Sequence, residues 1–178
     1  LHAEICGADA IGVVVFSDSP RNVPLEQAQD IFSVLDPATL TVAVTHTRSE
    51  EELKKILLLN PGAVQISHPF LFPANRSVQV FRVIKPGDPL RKDTDAFVVD
   101  ESHGYGKRFN LSFAQDIVRR SSVPVFLAGG LKPENVRQAI AEVRPDAVDV
   151  SSGVESSPGI KDKEKIRCFI GNCREAIL

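Results

Sequence analysis

The chain has 178 residues, 43% of them apolar and 25% charged, and its 21 basic and 23 acidic side chains leave a net charge of −2. That is enough apolar material for one sizeable core, so a single domain over residues 1–178 is the expectation. Basic residues are scattered, no apolar run approaches the ~18 residues of a membrane span, and no charged-then-apolar leader opens the sequence, which argues against nucleic acid and membrane as partners and for a small ligand and a cytoplasmic setting.

The first element is ambiguous. In Glu4-Ile5-Cys6-Gly7, Cys6 is either a thiol at a strand tip or the end of a helix stopped by Gly7. The next apolar run, Ile11 to Phe16, begins almost at once, whereas parallel strands need a crossover of about a dozen residues. The helix-end reading follows, with Cys6 a packed structural thiol. Further strands are expected at Leu40 to Thr45, Ala63 to Ser67, Val78 to Ile84, Ala96 to Asp100, Pro124 to Ala128 and Ala147 to Ser151. All seven are continuously apolar rather than alternating, as parallel strands covered by helices are. Ser49-Glu50-Glu51-Glu52 is a capping box before "LKKILLL". Pro133 suits a first helical turn ahead of Val136, Ala139 and Ile140, and Ile166, Phe169, Ile170, Cys173 and Ile177 make one helical stripe. The connections after Ser67 and after Ile84 contain proline and are weakly periodic, so short or irregular helices are expected there. Cys6, Cys168 and Cys173 have neither CxxC spacing nor an even count, which argues against a disulfide frame or a zinc site.

Alternating strands and helices give an open doubly wound sheet or a closed βα barrel. The first strand is followed by "SDSPR" and not by a glycine-rich dinucleotide turn, so the barrel is favoured. Polar and glycine residues gather at the strand ends, at Ser17 to Arg21, Thr45-His46, Gln65 to His68, Asp100 to Gly106, Gly129-Gly130 and Ser151 to Glu155, where a βα barrel carries its site. "FLAGGLKPENV" and "VDVSSGVE" place unshielded backbone amides before successive helices, the arrangement of a barrel phosphate site. Taken singly, either turn is equally well explained as a tight turn.

Five segments in order, "GADAIGVVV…SPR", "AVQ", "DAFVVD…GYGKRF", "VPVFLAGGLKPENV" and "VDVSSGVESSPGIKD", resemble phosphoribosylanthranilate isomerase of tryptophan biosynthesis. The resemblance implies a (βα)8 TIM barrel of the ribulose-phosphate-binding type, without metal or organic cofactor. It implies the Amadori rearrangement of N-(5′-phosphoribosyl)anthranilate to 1-(2-carboxyphenylamino)-1-deoxyribulose 5-phosphate. It assigns the general acid to Asp100, the anthranilate carboxylate to Arg21, further substrate contact to Gln65, and phosphate to Gly129, Gly130, Ser151, Ser152 and Gly153. Protonating a furanose oxygen suits a carboxyl at an apolar strand end, and an arginine can grip a carboxylate with two N–H groups. Read without the resemblance, Asp100 serves equally well as a loop cap and Arg21 as a solvated cation.

The family's base is a Cys in a Lys-x-Cys-Gly strand end, which "EICG" imitates. With Cys6 read as a helix end, the base is expected on a segment preceding Leu1, and the quoted chain is expected to lack the first strand of the barrel; Cys6 as base is the alternative. His46 and His103 are strand-end residues capable of taking a proton. Departures from the family pattern are Ser67 and His68 in "VQISH", Gln79 before "FRV", and the loop "GYGKRFN". Two other readings stand beside the isomerase: another sugar-phosphate isomerase or lyase with the same anion turns, and a non-catalytic or incomplete phosphate-ligand binder. Oligomeric state is not legible.

Overall fold

The computed structural model describes residues 1–100 and 110–176. His103, Tyr105 and the rest of "GYGKRF", and the stripe residue Ile177, lie outside them. The chain divides into two compact units, Leu1–Arg82 with Lys92–Asp95 and Val83–Arg91 with Ala96–Leu178.

The first unit opens with helix α1 (His2–Ile5), capped by Cys6. Ala8 N–H bonds Ala3 O at 2.9 Å and Gly7 N–H bonds Glu4 O at 2.7 Å, with Gly7 at φ 98°. This is the Schellman closure, whose left-handed residue favours glycine. "EICG" is therefore a helix end, as the crossover argument expects. Strand β1 (Ala10–Val14) follows, then α2 (Leu25–Ser33), β2 (Leu40–Thr45), α3 (Glu50–Leu58), β3 (Ala63–Ile66) and β4 (Gln79–Ile84). β1, β2, β3 and β4 pair in parallel in that order, with Val14 opposite Val44, Val44 opposite Gln65 and Gln65 opposite Phe81. Val15, Ala43, Ile56, Val64, Ile66 and Val80 form the core beneath them. β1 stops two residues before the expected Phe16, because Phe16 turns to φ 47°.

Glu52 does not reach back to the helix cap. Ser49 Oγ accepts the Glu52 N–H at 3.4 Å, but the Glu52 carboxylate takes the Thr47 hydroxyl, and Thr47 Oγ1 accepts the Ser49 N–H at 2.9 Å. The capping box is thus relayed through Thr47.

The described residues between β3 and β4 and between β4 and β5 form no helix, where short or irregular helices are expected from the sequence; the weak periodicity of these segments leaves no apolar face for a helix to bury. Polar clasps hold the loops in place of helix packing. Arg82, buried on β4, donates to Phe70 O at 2.7 Å and Asp93 Oδ2 at 2.8 Å. Asp95 Oδ2 accepts the Val80 N–H at 2.7 Å and Arg76 Nη2 at 2.6 Å, and Thr94 Oγ1 donates to Val80 O at 2.9 Å.

The second unit holds β5 (Ala96–Asp100), α4 (Leu111–Arg120), β6 (Val125–Ala128), α5 (Val136–Val143), β7 (Ala147–Val148), a 3-10 turn at Ser152–Val154, the hairpin β8 (Glu155–Ser157) and β9 (Ile160–Lys161), and α6 (Lys163–Glu175). β5, β6 and β7 pair in parallel, Asp100 opposite Ala128 and Leu127 opposite Val148. β5 is buried along Ala96–Val99, which is why it reads as an unbroken apolar run. α5 starts at Val136, behind a turn that holds Pro133, so proline precedes the helix and does not open it. β7 ends three residues short of Ser151, since Ser151 at φ −120°, ψ −79° leaves the extended path. Ile166 and Phe169 bury the stripe of α6. The hairpin was not foreseen, though Pro158-Gly159, with Gly159 at φ 83°, is a type II turn signal.

Candidate active site

In the second unit three strand ends meet. Asp100 closes β5 half-buried, and its register partner Ala128 leads straight into Gly129 and Gly130, at φ 84° and 67°. Asn135 braces that turn by accepting the Lys132 N–H at 2.8 Å and donating to Gly130 O at 3.0 Å. The turn after β7 packs directly against it. A Cβ on Gly153 would stand 1.8 Å from Leu131 O, 2.8 Å from Leu131 C and 3.0 Å from Lys132 Cα. Only glycine permits that approach. Lys161 holds the other side of the turn, its ammonium donating to Ser151 O at 2.9 Å and to the buried carboxylate of Glu155 at 3.0 Å. Ser151 and Ser152 are exposed and Gly153 is half-buried.

Asp149, which the sequence reading passed over, joins this group. Its N–H bonds Leu127 O at 2.8 Å. The residue as a whole is exposed; loss of solvation at its carboxyl, followed by the charge of Asp100, raises that carboxyl above the ordinary range while Lys161 pulls the other way. A carboxyl shifted by burial and by a second carboxyl is the pattern of a functional cleft. Its position at the end of "DAVD", matching Asp100 at the end of "DAFVVD", was the available signal.

In the first unit, Arg21 is half-buried on the β1–α2 loop and its N–H bonds Ser19 Oγ at 3.2 Å. Gln65 is half-buried on β3, paired between β2 and β4. Ser17 Oγ lies 2.7 Å from His46 Nδ1. These two line an open cleft of about 600 Å³ together with Phe16, Asp18, Asn22 and Arg48. Of the thiols, Cys6 caps α1 with its sulfur 3.6 Å from His2 Nε2, while Cys168 and Cys173 lie on α6. All three are free thiols, and none stands at a strand end.

Parallel βα units whose acid, hydroxyls and unshielded turns collect at the C-terminal ends of the strands define an enzyme class, the βα barrels that act on phosphorylated ligands. The family model described as N-(5′-phosphoribosyl)anthranilate (PRA) isomerase matches residues 2–172, and the chain belongs to that family. It is 56% identical over 177 residues to N-(5′-phosphoribosyl)anthranilate isomerase of Methanoregula boonei, covering 99% of this chain and 91% of that protein. The crystal structure of phosphoribosyl anthranilate isomerase from Thermotoga maritima superposes with a TM-score of 0.81 at 32% identity, covering 98% of this chain and 92% of that one. A second crystal structure, of a phosphoribosyl anthranilate isomerase in complex with reduced 1-(o-carboxyphenylamino)-1-deoxyribulose 5-phosphate, gives 0.79 at 31% identity over 98% and 91%. The fold class is the βα barrel of these proteins, with seven parallel strands, β1 to β7, among the described residues. No helix among the described residues is long and apolar enough to cross a membrane.

Proposed function

We propose that the protein isomerises N-(5′-phosphoribosyl)anthranilate to 1-(2-carboxyphenylamino)-1-deoxyribulose 5-phosphate in the cytoplasm, as an enzyme of tryptophan biosynthesis. The observation that carries the reading is the contact of the two glycine turns, Gly153 against Leu131, one strand from Asp100. In this reading the amides of Gly129, Gly130 and Gly153 and the hydroxyls of Ser151 and Ser152 receive the phosphate, where backbone N–H groups meet an anion without a side chain in the way. Asp100 protonates the furanose oxygen as the ring opens. The aldose-to-ketose step then takes a proton from C2′ to a base; none of Cys6, Cys168 and Cys173 has that role here. Arg21 grips the ring carboxylate with two N–H groups, and Gln65 contacts the substrate from β3.

The test is conversion of N-(5′-phosphoribosyl)anthranilate by the purified protein, with other aldose phosphates as competitors. Turnover of that substrate above the rest is expected. Preference for a different sugar phosphate would give the site to another isomerase or lyase, and phosphate-ligand binding without turnover of any would make it a binder.

A further inference from the structure

We propose that Ser17 and His46 are a positioning pair, setting the loop that carries Arg21 and with it the protein's discrimination in favour of a ring carboxylate. The proposal rests on the reading of Arg21 as the carboxylate-binding residue. A run of hydrogen bonds leads from His46, the residue after β2, to the Arg21 backbone. His46 follows directly on buried Thr45, and its Nδ1 lies 2.7 Å from Ser17 Oγ. That oxygen accepts the Ser19 N–H at 3.1 Å, and Ser19 Oγ accepts the Arg21 N–H at 3.2 Å. Two further bonds close the loop on itself, Ser17 N–H to Asn22 Oδ1 and Asn22 N–H to Ser19 O, both at 3.0 Å.

The loop is also held in a conformation that it would not adopt alone. Phe16 sits at φ 47°, a region costly for a bulky side chain, and such residues persist where their surroundings over-determine them. Thr45 Oγ1 donates to Phe16 O at 3.2 Å and accepts the Thr47 N–H at 3.2 Å, so one hydroxyl anchors the strained residue and the Thr47 N–H that follows His46. Phe16, Ser17 and His46 all line the cleft of about 600 Å³ at these strand ends. Strain, a side-chain tether between two strand ends and a cleft at the same place mark a loop built to hold one geometry. What the pair holds is the start of the turn that ends at Arg21.

The test is calorimetric titration of the 178-residue chain with reduced 1-(o-carboxyphenylamino)-1-deoxyribulose 5-phosphate and with the same compound lacking the ring carboxylate. The wild-type chain is expected to prefer the carboxylated ligand by about tenfold or more, as a charge-assisted pair does. His46→Ala and Ser17→Ala are each expected to shrink that preference by about three- to tenfold while leaving affinity for the carboxylate-free ligand unchanged. His46→Asn, whose amide can reach the Ser17 hydroxyl, is expected to keep it. If His46→Ala does not fold, Ser17→Ala carries the same test from the other side of the bond. A preference undiminished in both variants, or an equal loss for both ligands, overturns the positioning role while leaving the Arg21 reading intact. Absence of any preference in the wild type, or of binding, overturns the Arg21 reading itself and this proposal with it.

Discussion

At the scale of single residues, two positions carry distinct physical demands. Asp100 needs a proton to give. Asp100→Asn keeps the shape and removes the donor, so turnover should fall by ~10²–10⁴ with little change in affinity for the reduced product analogue; steady-state kinetics beside calorimetry check the split. Gly153 needs an absent side chain. Gly153→Ala would set a methyl 1.8 Å from Leu131 O, and that neighbour is backbone, so one turn must move. A loss of about 1–3 kcal/mol in stability is expected, with weaker binding of phosphorylated ligands. Unchanged phosphate-ester affinity in a folded Gly153→Ala chain would argue against the convergent turns as the anion site. Residues such as Asn135 and Asp149 escaped the sequence reading for a common reason: each acts through a partner, Gly130 or Asp100, that only the folded chain brings near.

Among the elements, the most instructive are those whose stabilisation comes from outside their own sequence. The cap of α3 is written as Ser49 and Glu52, yet Thr47 is the hub, bonded to both. Ser49→Ala loses one long bond, and about 0.5 kcal/mol is expected. Thr47→Val, nearly isosteric, leaves the Glu52 carboxylate and the Ser49 N–H without this partner, and about 1–2 kcal/mol is expected. Urea midpoints of the two variants order them. The crossovers on either side of β4 pose the same problem more sharply. With no helix to pack, the Arg82–Asp93 pair, whose arginine is 6% exposed, anchors the loop. Asp93→Ala strands a buried cation and should cost about 3 kcal/mol, whereas replacing both partners, Arg82→Met with Asp93→Ala, should cost less than the single change. A double-mutant cycle in thermal unfolding measures the difference. The irregularity of these segments was visible in their proline content; the polar clasps were not, because Asp93 and Asp95 have no periodicity that marks them.

For the molecule as a whole, stability should decline on the alkaline side through its C-terminal helix. Burial pushes the Cys173 thiol up to about 11 from an ordinary value of 9.0, and the hydrogen bond to Glu164 raises Cys168 in the same direction. Between those values the native chain keeps protons that the unfolded chain has lost. Stability therefore falls as pH rises through about 9 toward about 11. Denaturant unfolding at about pH 8 and about pH 10 should show the drop, and Cys173→Ala should reduce it. Some features of this protein follow from its sequence unaided. Continuous apolar runs specify parallel strands, Gly7 stops a helix, Ser49 caps one, and the family motifs name the reaction; each of these signals lies within a few residues of the element that it controls. Other features needed the tertiary structure. The contact of Gly153 with Leu131, the hold of Lys161 on Ser151, the Arg82 clasp and the tether of Ser17 to His46 join positions that the chain separates by many residues. The physical reason is that parallel βα units place consecutive strand ends side by side in space while setting a crossover between them in sequence, so a site assembled from strand ends is local in the fold and dispersed in the chain.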